Sequence, residues 1–387
     1  MPYIVRRASP VYRQVTLEEI LAGYVEPERF APVRTSTSGT ITHFANQLTP
    51  EFIQKFDIIG MVRTLQAFNE RHAELRAAPR QSLYHHFEIE KSSIDPATGL
   101  HKKRPIDAPN DELKLALYEL KDILENKCGA MYHTSAYGYV PGRCAVDSVK
   151  VHQGNVSHWF LKIDFSNFFT STTPDFVMSM LSMIFPFSEI MASEAGKEAL
   201  TTAMSLCFLR NGLPQGTPIS PMLTNLMMIP IDHRLANTLR DFEDKKRYVY
   251  TRYADDILIS NKVHFDYPSI VAYINATLSS FRAPFRINDE KTRYGSGNGH
   301  NFNLGVILNE NNEITIGYRK KQAFRAMLSD FIKNRINNIP VDLKERQVLD
   351  GLLNYYSSIE PEYWKLAVER FNHRHHIDLI AMLREPI

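Results

Sequence analysis

The feature that most limits what this chain can fold into is a pair of adjacent aspartates between two apolar runs. The segment YVYTRYADDILIS (248–260) reads as two strands that meet around Asp255 and Asp256. Adjacent carboxylates repel, and beside buried strands they stay charged only if something compensates. A divalent cation does so. The plainer alternative is a polar hairpin tip, where aspartate is common in any case.

A second acid raises the value of the first. Asp164 ends WFLKID (159–164), a near-continuous apolar run of the kind found in central strands, and FSNFFTS follows it. A lone charge at the end of a buried strand is where α/β-type sheets place active-site groups, although an aspartate can also simply cap the next turn. Together, Asp164 and Asp255 could bind two Mg²⁺ ions about 3.5–4 Å apart, the arrangement used for in-line phosphoryl displacement. Hard oxygen ligands suit Mg²⁺, and Mn²⁺ could take its place. Asp256 could be a third ligand or a charge behind the ligands. A third element is LPQGTPISP (213–221). Gly216 would let backbone approach a ligand, and the helix after it would turn a positive end towards an anion. Its plainer reading is a proline-bracketed turn into a helix.

Composition limits the functional class only loosely. The 387 residues carry 45 Lys+Arg and 43 Asp+Glu, a formal charge of +2. That excludes a histone-like or tail-type nucleic-acid binder. It leaves room for a nucleic-acid enzyme whose basic face is offset by acids elsewhere. Cys128, Cys144 and Cys207 are too scattered for a disulfide framework or a zinc knuckle. The N-terminal MPYIVRRASPVYRQ has no apolar core of a signal peptide. The most apolar internal stretch, Met222 to Ile231, is broken by Thr224, Asn225 and Pro230. A soluble, cytoplasmic protein without a membrane partner is expected.

Periodicity predicts a short helix at Leu17 to Tyr24 and a longer one over 50–78, starting at Pro50 after a Thr49 cap. YHHFEIEK (84–91) and KKRPIDAP (102–109) read as a hairpin. Helices are expected at Asp111 to Glu125, 174–210, 218–240 and 269–282, with FRIN (285–288) and NLGVIL (303–308) extended. From about 319 onward the pattern is helical, basic and aromatic. The whole suggests an α+β core with a helical C-terminal unit.

The three chemical elements, in this order, resemble the palm of a reverse transcriptase. Further segments extend the resemblance over about 84–364. RPIDAP with Leu113 and Lys114 resembles the fingers pattern R-x-I-x-x-P…L-K. AYGYVPGR (136–143), Ile287-Asn288 with Lys291-Thr292, and Leu304-Gly305 resemble later family motifs, the last being the primer-grip hairpin. GLLNYYSSIEP (351–361) resembles a bacterial thumb segment. The resemblance implies a right-hand polymerase of fingers, palm and thumb, with an antiparallel palm sheet. It divides the chain into an N-terminal arm (1–80), fingers and palm (81–317) and a helical thumb (318–387).

It also implies roles. Asp164, Asp255 and Asp256 would be the catalytic carboxylates, with the Phe165 carbonyl helping to hold the metals. Phe169 would exclude a ribose 2′-hydroxyl and so favour dNTPs. Arg104 would clamp the triphosphate, Gln215 and Gly216 would pack on the nascent base pair, and Lys291 would stand by the pyrophosphate as proton donor or simple cation. Tyr253, Leu304 and Gly305 would lie near the primer. The basic run Arg319, Lys320, Lys321 and Arg325 would track the phosphates of an RNA/DNA duplex, or simply form a solvated helix face. His373, His375 and His376 near Asp378 are read as surface or RNA contacts rather than a metal site.

At 387 residues no RNase H, integrase or intron-type endonuclease is expected beside the polymerase, and a small bacterial type is the expectation. Retron enzymes carry N-A-x-x-H before the first catalytic strand, of which only His152 stands in SVKVH (148–152). They carry V-T-G before the last hairpin, of which only Gly305 remains. Those departures favour a defence-associated reverse transcriptase copying a partner noncoding RNA in antiphage immunity. A retron enzyme making RNA-linked cDNA and a template-independent or protein-primed DNA polymerase are the alternatives. The intact acids argue against a non-catalytic RNA-binding relic. A homo-oligomer or an effector protein is a further candidate partner.

Overall fold

The computed structural model describes residues 33–34, 41–42, 56–94, 98–127, 132–241, 248–296 and 305–385. The expected helix at Leu17 to Tyr24, the Thr49–Pro50 helix start, Cys128 and Leu304 lie outside them. Among the described residues the chain is a mixture of helices with small antiparallel sheets, and its C-terminal part is helical. It divides into two compact units. One comprises Met1–Arg143, Ile163–Ile257 and Asp266–Thr292; the other comprises Cys144–Lys162, Leu258–Phe265 and Arg293–Ile387.

In the first unit, β1 (Val33–Arg34) pairs with β2 (Ile41–Thr42). Helix α1 (Ile58–Arg71) follows. Asp57 caps it: its carboxylate accepts the Gly60 N–H at 2.8 Å. Then β3 (Tyr84–Ile94) and β4 (His101–Pro109) form the anticipated hairpin, longer than predicted, with Ile89 opposite Arg104. Asn110 caps α2 (Asp111–Asp122) by accepting the Leu113 N–H. Leu113, Ala116, Leu117 and Leu120 give it one fully buried stripe.

Two expected helices are broken, with a proline at one break in each. Residues 174–210 form Pro174–Leu181, Phe187–Ile190 and Glu194–Met204, with Pro186 in the first interruption. Residues 218–240 form two helices, Ser220–Met227 and Ile229–Asp241, which part at Met228 just before Pro230.

The main sheet has the order β6 (Val249–Tyr253), β7 (Asp256–Asn261), β5 (Trp159–Ser166), β8 (Arg286–Ile287), with β9 (Arg293–Ser296) also on β5. In the first unit the end of β5 pairs antiparallel with β8, Phe165 opposite Ile287. Side chains alternate along β5. Ile163 and Phe165 enter the core, at 0% and 2% exposure, and Asp164 therefore faces the other way. Phe165 packs among Phe168 and Phe285, with ring centroids 5.7 and 4.9 Å away.

In the second unit the start of β5 pairs with β9, Trp159 opposite Ser296. The hairpin β10 (Ile307–Leu308) and β11 (Ile314–Thr315) is tied to the helix Ala145–Gly154 by reciprocal bonds between Gln153 and Asn312. Helices Tyr318–Ile336, Leu343–Ile359, Pro361–His375 and Leu379–Arg384 complete it. Their core is built on Phe324, Phe331, Leu349 and Trp364. Tyr356 and Tyr363 lie against Trp364. His152 is buried and shares a hydrogen bond with the Ser260 hydroxyl, which in turn donates to Ser157.

Candidate active site

The two acidic segments meet. The Phe165 N–H donates to the Asp255 carbonyl at 3.2 Å, so the end of β5 runs beside the turn between β6 and β7. Asp255 precedes β7 and Asp256 opens it. Ala254, before them, has φ +56, the left-handed region that reverses the chain in a tight turn. Asp255 is half-buried. Burial first, then the neighbouring Asp256 and Asp164 carboxylates, push its pKa up to about 6.

The opposite wall is the turn after β8. The Asn288 N–H donates to the Asp164 carbonyl at 2.8 Å, and the turn is closed by the Lys291 and Thr292 N–H groups on the Asn288 carbonyl. Lys291 is thereby carried to Asp164, with its Nζ 2.7 Å from Oδ1. This ammonium is mostly exposed, whereas the Asp164 carboxylate is 12% exposed.

The LPQGTP loop is fixed from two sides. The Leu213 N–H donates to the Phe169 carbonyl at 3.0 Å, and the Asp107 N–H donates to the Gln215 carbonyl at 2.8 Å. Gly216 has φ +117, and a Cβ there would come within 2.8 Å of Ile106 Cγ2 and 3.1 Å of the Asp107 carbonyl oxygen. Gly216→Ala is therefore expected to destabilise the protein by about 1–3 kcal/mol and to loosen Gln215 from β4. Urea unfolding of the variant checks this, and a stability within 0.5 kcal/mol of the parent, roughly the error of an innocuous surface change, would contradict it. Phe169 is half-buried against Phe168.

Arg104 is exposed on β4. Lys91, which no motif marked, joins it: burial first, then the charges of Arg104 and Lys291, lower the Lys91 pKa, and Asp164 acts in the opposite sense. Tyr139 was also missed as an individual residue. Its ring centroid lies 6.5 Å from that of Tyr253, and its phenol pKa is raised by burial first and by Asp255 next. Neither signal is local in sequence. Lys91 depends on the β3–β4 register, and Tyr139 on a left-handed backbone, φ +59.

In the second unit Lys320 donates to the Gly305 carbonyl at 3.1 Å. Lys321 turns inward, to Glu360 and over the Tyr363 ring at 4.1 Å, leaving Arg319 and Arg325 as the exposed cations of the run. Asp378 caps the last helix by accepting the Ala381 N–H. Among the described residues no three acid, histidine or cysteine side chains gather into a group that could hold a metal ion on side chains alone.

The profile described as reverse transcriptase (RNA-dependent DNA polymerase) matches residues 89–325, more than half of the chain. The chain belongs to the reverse transcriptase family. It is accordingly an RNA-directed DNA polymerase. Among curated proteins, this reverse transcriptase is similar to the retron Ec83 enzyme of Escherichia coli, at 26% identity over 67% of this chain and 80% of that one. The retron Ec73 enzyme of the same species matches at 26%, with the same two coverages. The retron Mx65 enzyme of Myxococcus xanthus matches at 28%, over 67% of this chain and 59% of that one. Among solved structures, apo telomerase from Candida tropicalis aligns over 76% of this chain and 65% of that one, at 12% identity and a TM-score of 0.41. Reverse transcriptases use divalent metal ions. The side chains here suit such an ion in kind: hard carboxylate oxygens, with Asp256 and Asp164 close enough to Asp255 to raise its pKa. No helix of the described residues is long and apolar enough to cross a membrane.

Proposed function

We propose that Asp164, Asp255 and Asp256 are the catalytic carboxylates of this polymerase and hold two Mg²⁺ ions with help from the Phe165 carbonyl. The observation that carries this is the backbone bond between Phe165 and Asp255, which brings two acids distant in sequence to one point. The ions would offset charge on the triphosphate and on the primer hydroxyl. The chain's own residues do the rest. Arg104 orients the triphosphate through its planar fork, and Lys91 adds a second cation. Gln215 and Gly216 border the nascent base pair. Lys291, leaving Asp164 when a triphosphate arrives, holds a proton or a positive charge for the departing pyrophosphate. Tyr253 and Gly305 border the primer, and Arg319 with Lys320 face the duplex phosphates. In this reading residues 81–317 are fingers and palm, and 318–387 the thumb.

Phe169 stands beneath the sugar. Phe169→Ala is expected to raise ribonucleotide incorporation relative to deoxyribonucleotide by roughly 10–200-fold, the usual range for discrimination by bulk. Competing single-nucleotide extensions measure it, and an unchanged ratio would remove Phe169 from this role.

The template proposed is an associated noncoding RNA, copied by a cytoplasmic enzyme in antiphage defence. A second reading is favoured by the retron enzymes among the relatives: synthesis of cDNA linked to its own RNA. Sequencing the RNA and DNA that co-purify with the protein, with an Asp255→Ala control, tests both. One defined RNA with complementary, unlinked cDNA supports the first. A covalent RNA–DNA junction supports the second. Homopolymer without any matching template sinks both.

A further inference from the structure

Behind the carboxylates lies a polar network that no motif announces. Arg252 and Asp232 form an ion pair with both side chains at 0% exposure. Arg252 Nε donates to the two Asp232 oxygens at 2.8 and 3.1 Å, and one terminal nitrogen donates to Oδ2 at 2.7 Å. The Tyr250 hydroxyl, two residues earlier on the same face of β6, donates to Asp232 at 2.6 Å. Asp232 is thus saturated by donors and fixes the guanidinium in one plane.

That leaves the other terminal nitrogen. It donates to the Ala254 carbonyl at 3.0 Å and to the Asn225 side-chain oxygen at 3.1 Å. Asn225 in turn donates to the Gly138 carbonyl at 2.8 Å. Gly138 lies against the turn itself, since a Cβ at 138 would meet the Ala254 nitrogen at 2.6 Å. The backbone of Arg252 is clasped on the same side: its N–H donates to the Ser135 carbonyl and its carbonyl accepts the Tyr137 N–H. Arg143 ties the 133–136 stretch together from its other side by donating to the His133 and Ala136 carbonyls, each at 2.7 Å.

Ala254 carries a Cβ in the left-handed region, so its conformation must be imposed by its surroundings. An apolar pair of similar volume could fill the space of Arg252 and Asp232 with no loss of stability. It could not donate to the Ala254 carbonyl. We infer that Arg252, held by Asp232 and Asn225, is a positioning residue that sets the Ala254 turn and so the direction in which Asp255 and Asp256 leave the strand. This rests on the reading of Asp255 as catalytic and names what aims it.

The test compares Asn225→Ala, Arg252→Lys, Asp255→Asn and Leu239→Ala in the full chain. Leu239, fully buried on the helix Ile229–Asp241, is the control for plain destabilisation. Single-turnover extension, KM for dNTP, thermal midpoint and Mn²⁺ affinity by electron paramagnetic resonance are read for each. A misplaced reacting group costs on the order of 100-fold in rate, which is expected for Arg252→Lys, with about 10-fold for Asn225→Ala. KM for dNTP should stay within about threefold, and Mn²⁺ should bind more weakly. Leu239→Ala, at an equal or larger thermal loss, should keep the parent rate. Parent rates and Mn²⁺ affinity in Asn225→Ala and in folded Arg252→Lys overturn the inference, as does a Leu239→Ala rate that falls in step with its stability. If Arg252→Lys does not fold, Asn225→Ala decides alone. Primer extension by Asp255→Asn would overturn instead the assignment on which the inference stands.

Discussion

Asp255→Asn is expected to abolish primer extension while making the metal-free protein more stable. The first effect follows from removing one charged ligand from a site that must offset developing phosphate charge, a loss of about 1,000-fold or more. The second follows from the crowding. Burial and Asp256 raise the Asp255 pKa from 3.8 to about 6, so at neutral pH its charge opposes folding. Linkage gives the sign. A carboxyl whose folded pKa is raised contributes stability below its unfolded value and loses it as pH rises through about 6. Amide at 255 escapes that loss, worth on the order of 1–3 kcal/mol at pH 7.5. Primer extension and urea unfolding in chelator read the two effects. Extension within tenfold of the parent, or lower metal-free stability, would count against the site as drawn.

The second large effect is acid lability. His133, His152 and His233 are buried and neutral, and burial, the leading cause in each, lowers their pKa values to about 4, 3 and 3. Their neutral forms are held by specific partners: Ser260 at His152, Asn237 at His233 and the Ser135 N–H at His133. Folded values below the unfolded 6.5 mean stability that is complete above pH 6.5 and lost as pH falls towards 3–4. At pH 5 each imidazole costs about 2 kcal/mol, and Asp255 returns roughly 1. Against a typical 5–15 kcal/mol for a whole domain, that is a large share. Unfolding at pH 7.5 and pH 5 measures it. His152→Gln should flatten the profile whatever it does to stability at pH 7.5. A stability unchanged between the two pH values would refute the claim.

Much of the site was readable because its signals are local. The near-continuous apolar run before Asp164 marks a buried strand with a charge at its end, and apolar runs on both sides of Asp255 and Asp256 mark a strand–turn–strand. Gly216 announces close backbone approach, which Ile106 and Asp107 supply. The unread parts depend on contacts between distant segments. Asp232 lies 20 residues from Arg252 and in a different element, and neither belongs to a motif that carries chemistry. Lys91 needs the hairpin register. The breaks at Pro186 and Pro230 were present in the sequence, but apolar periodicity carried the reading across them. Lys321 shows the reverse error, since a run of cations does not reveal which of them an internal acid has claimed.

That inward lysine has a consequence for how tightly the C-terminal helices would hold a duplex as ionic strength changes. A cation already paired with Glu360 and covered by Tyr363 displaces no condensed counterion when nucleic acid arrives. The slope of log affinity against log salt should count Arg319, Lys320 and Arg325, each worth about 0.9 if it meets a phosphate, and should omit Lys321. Neutralising Lys321 would then leave that slope unchanged even if it loosened the helices.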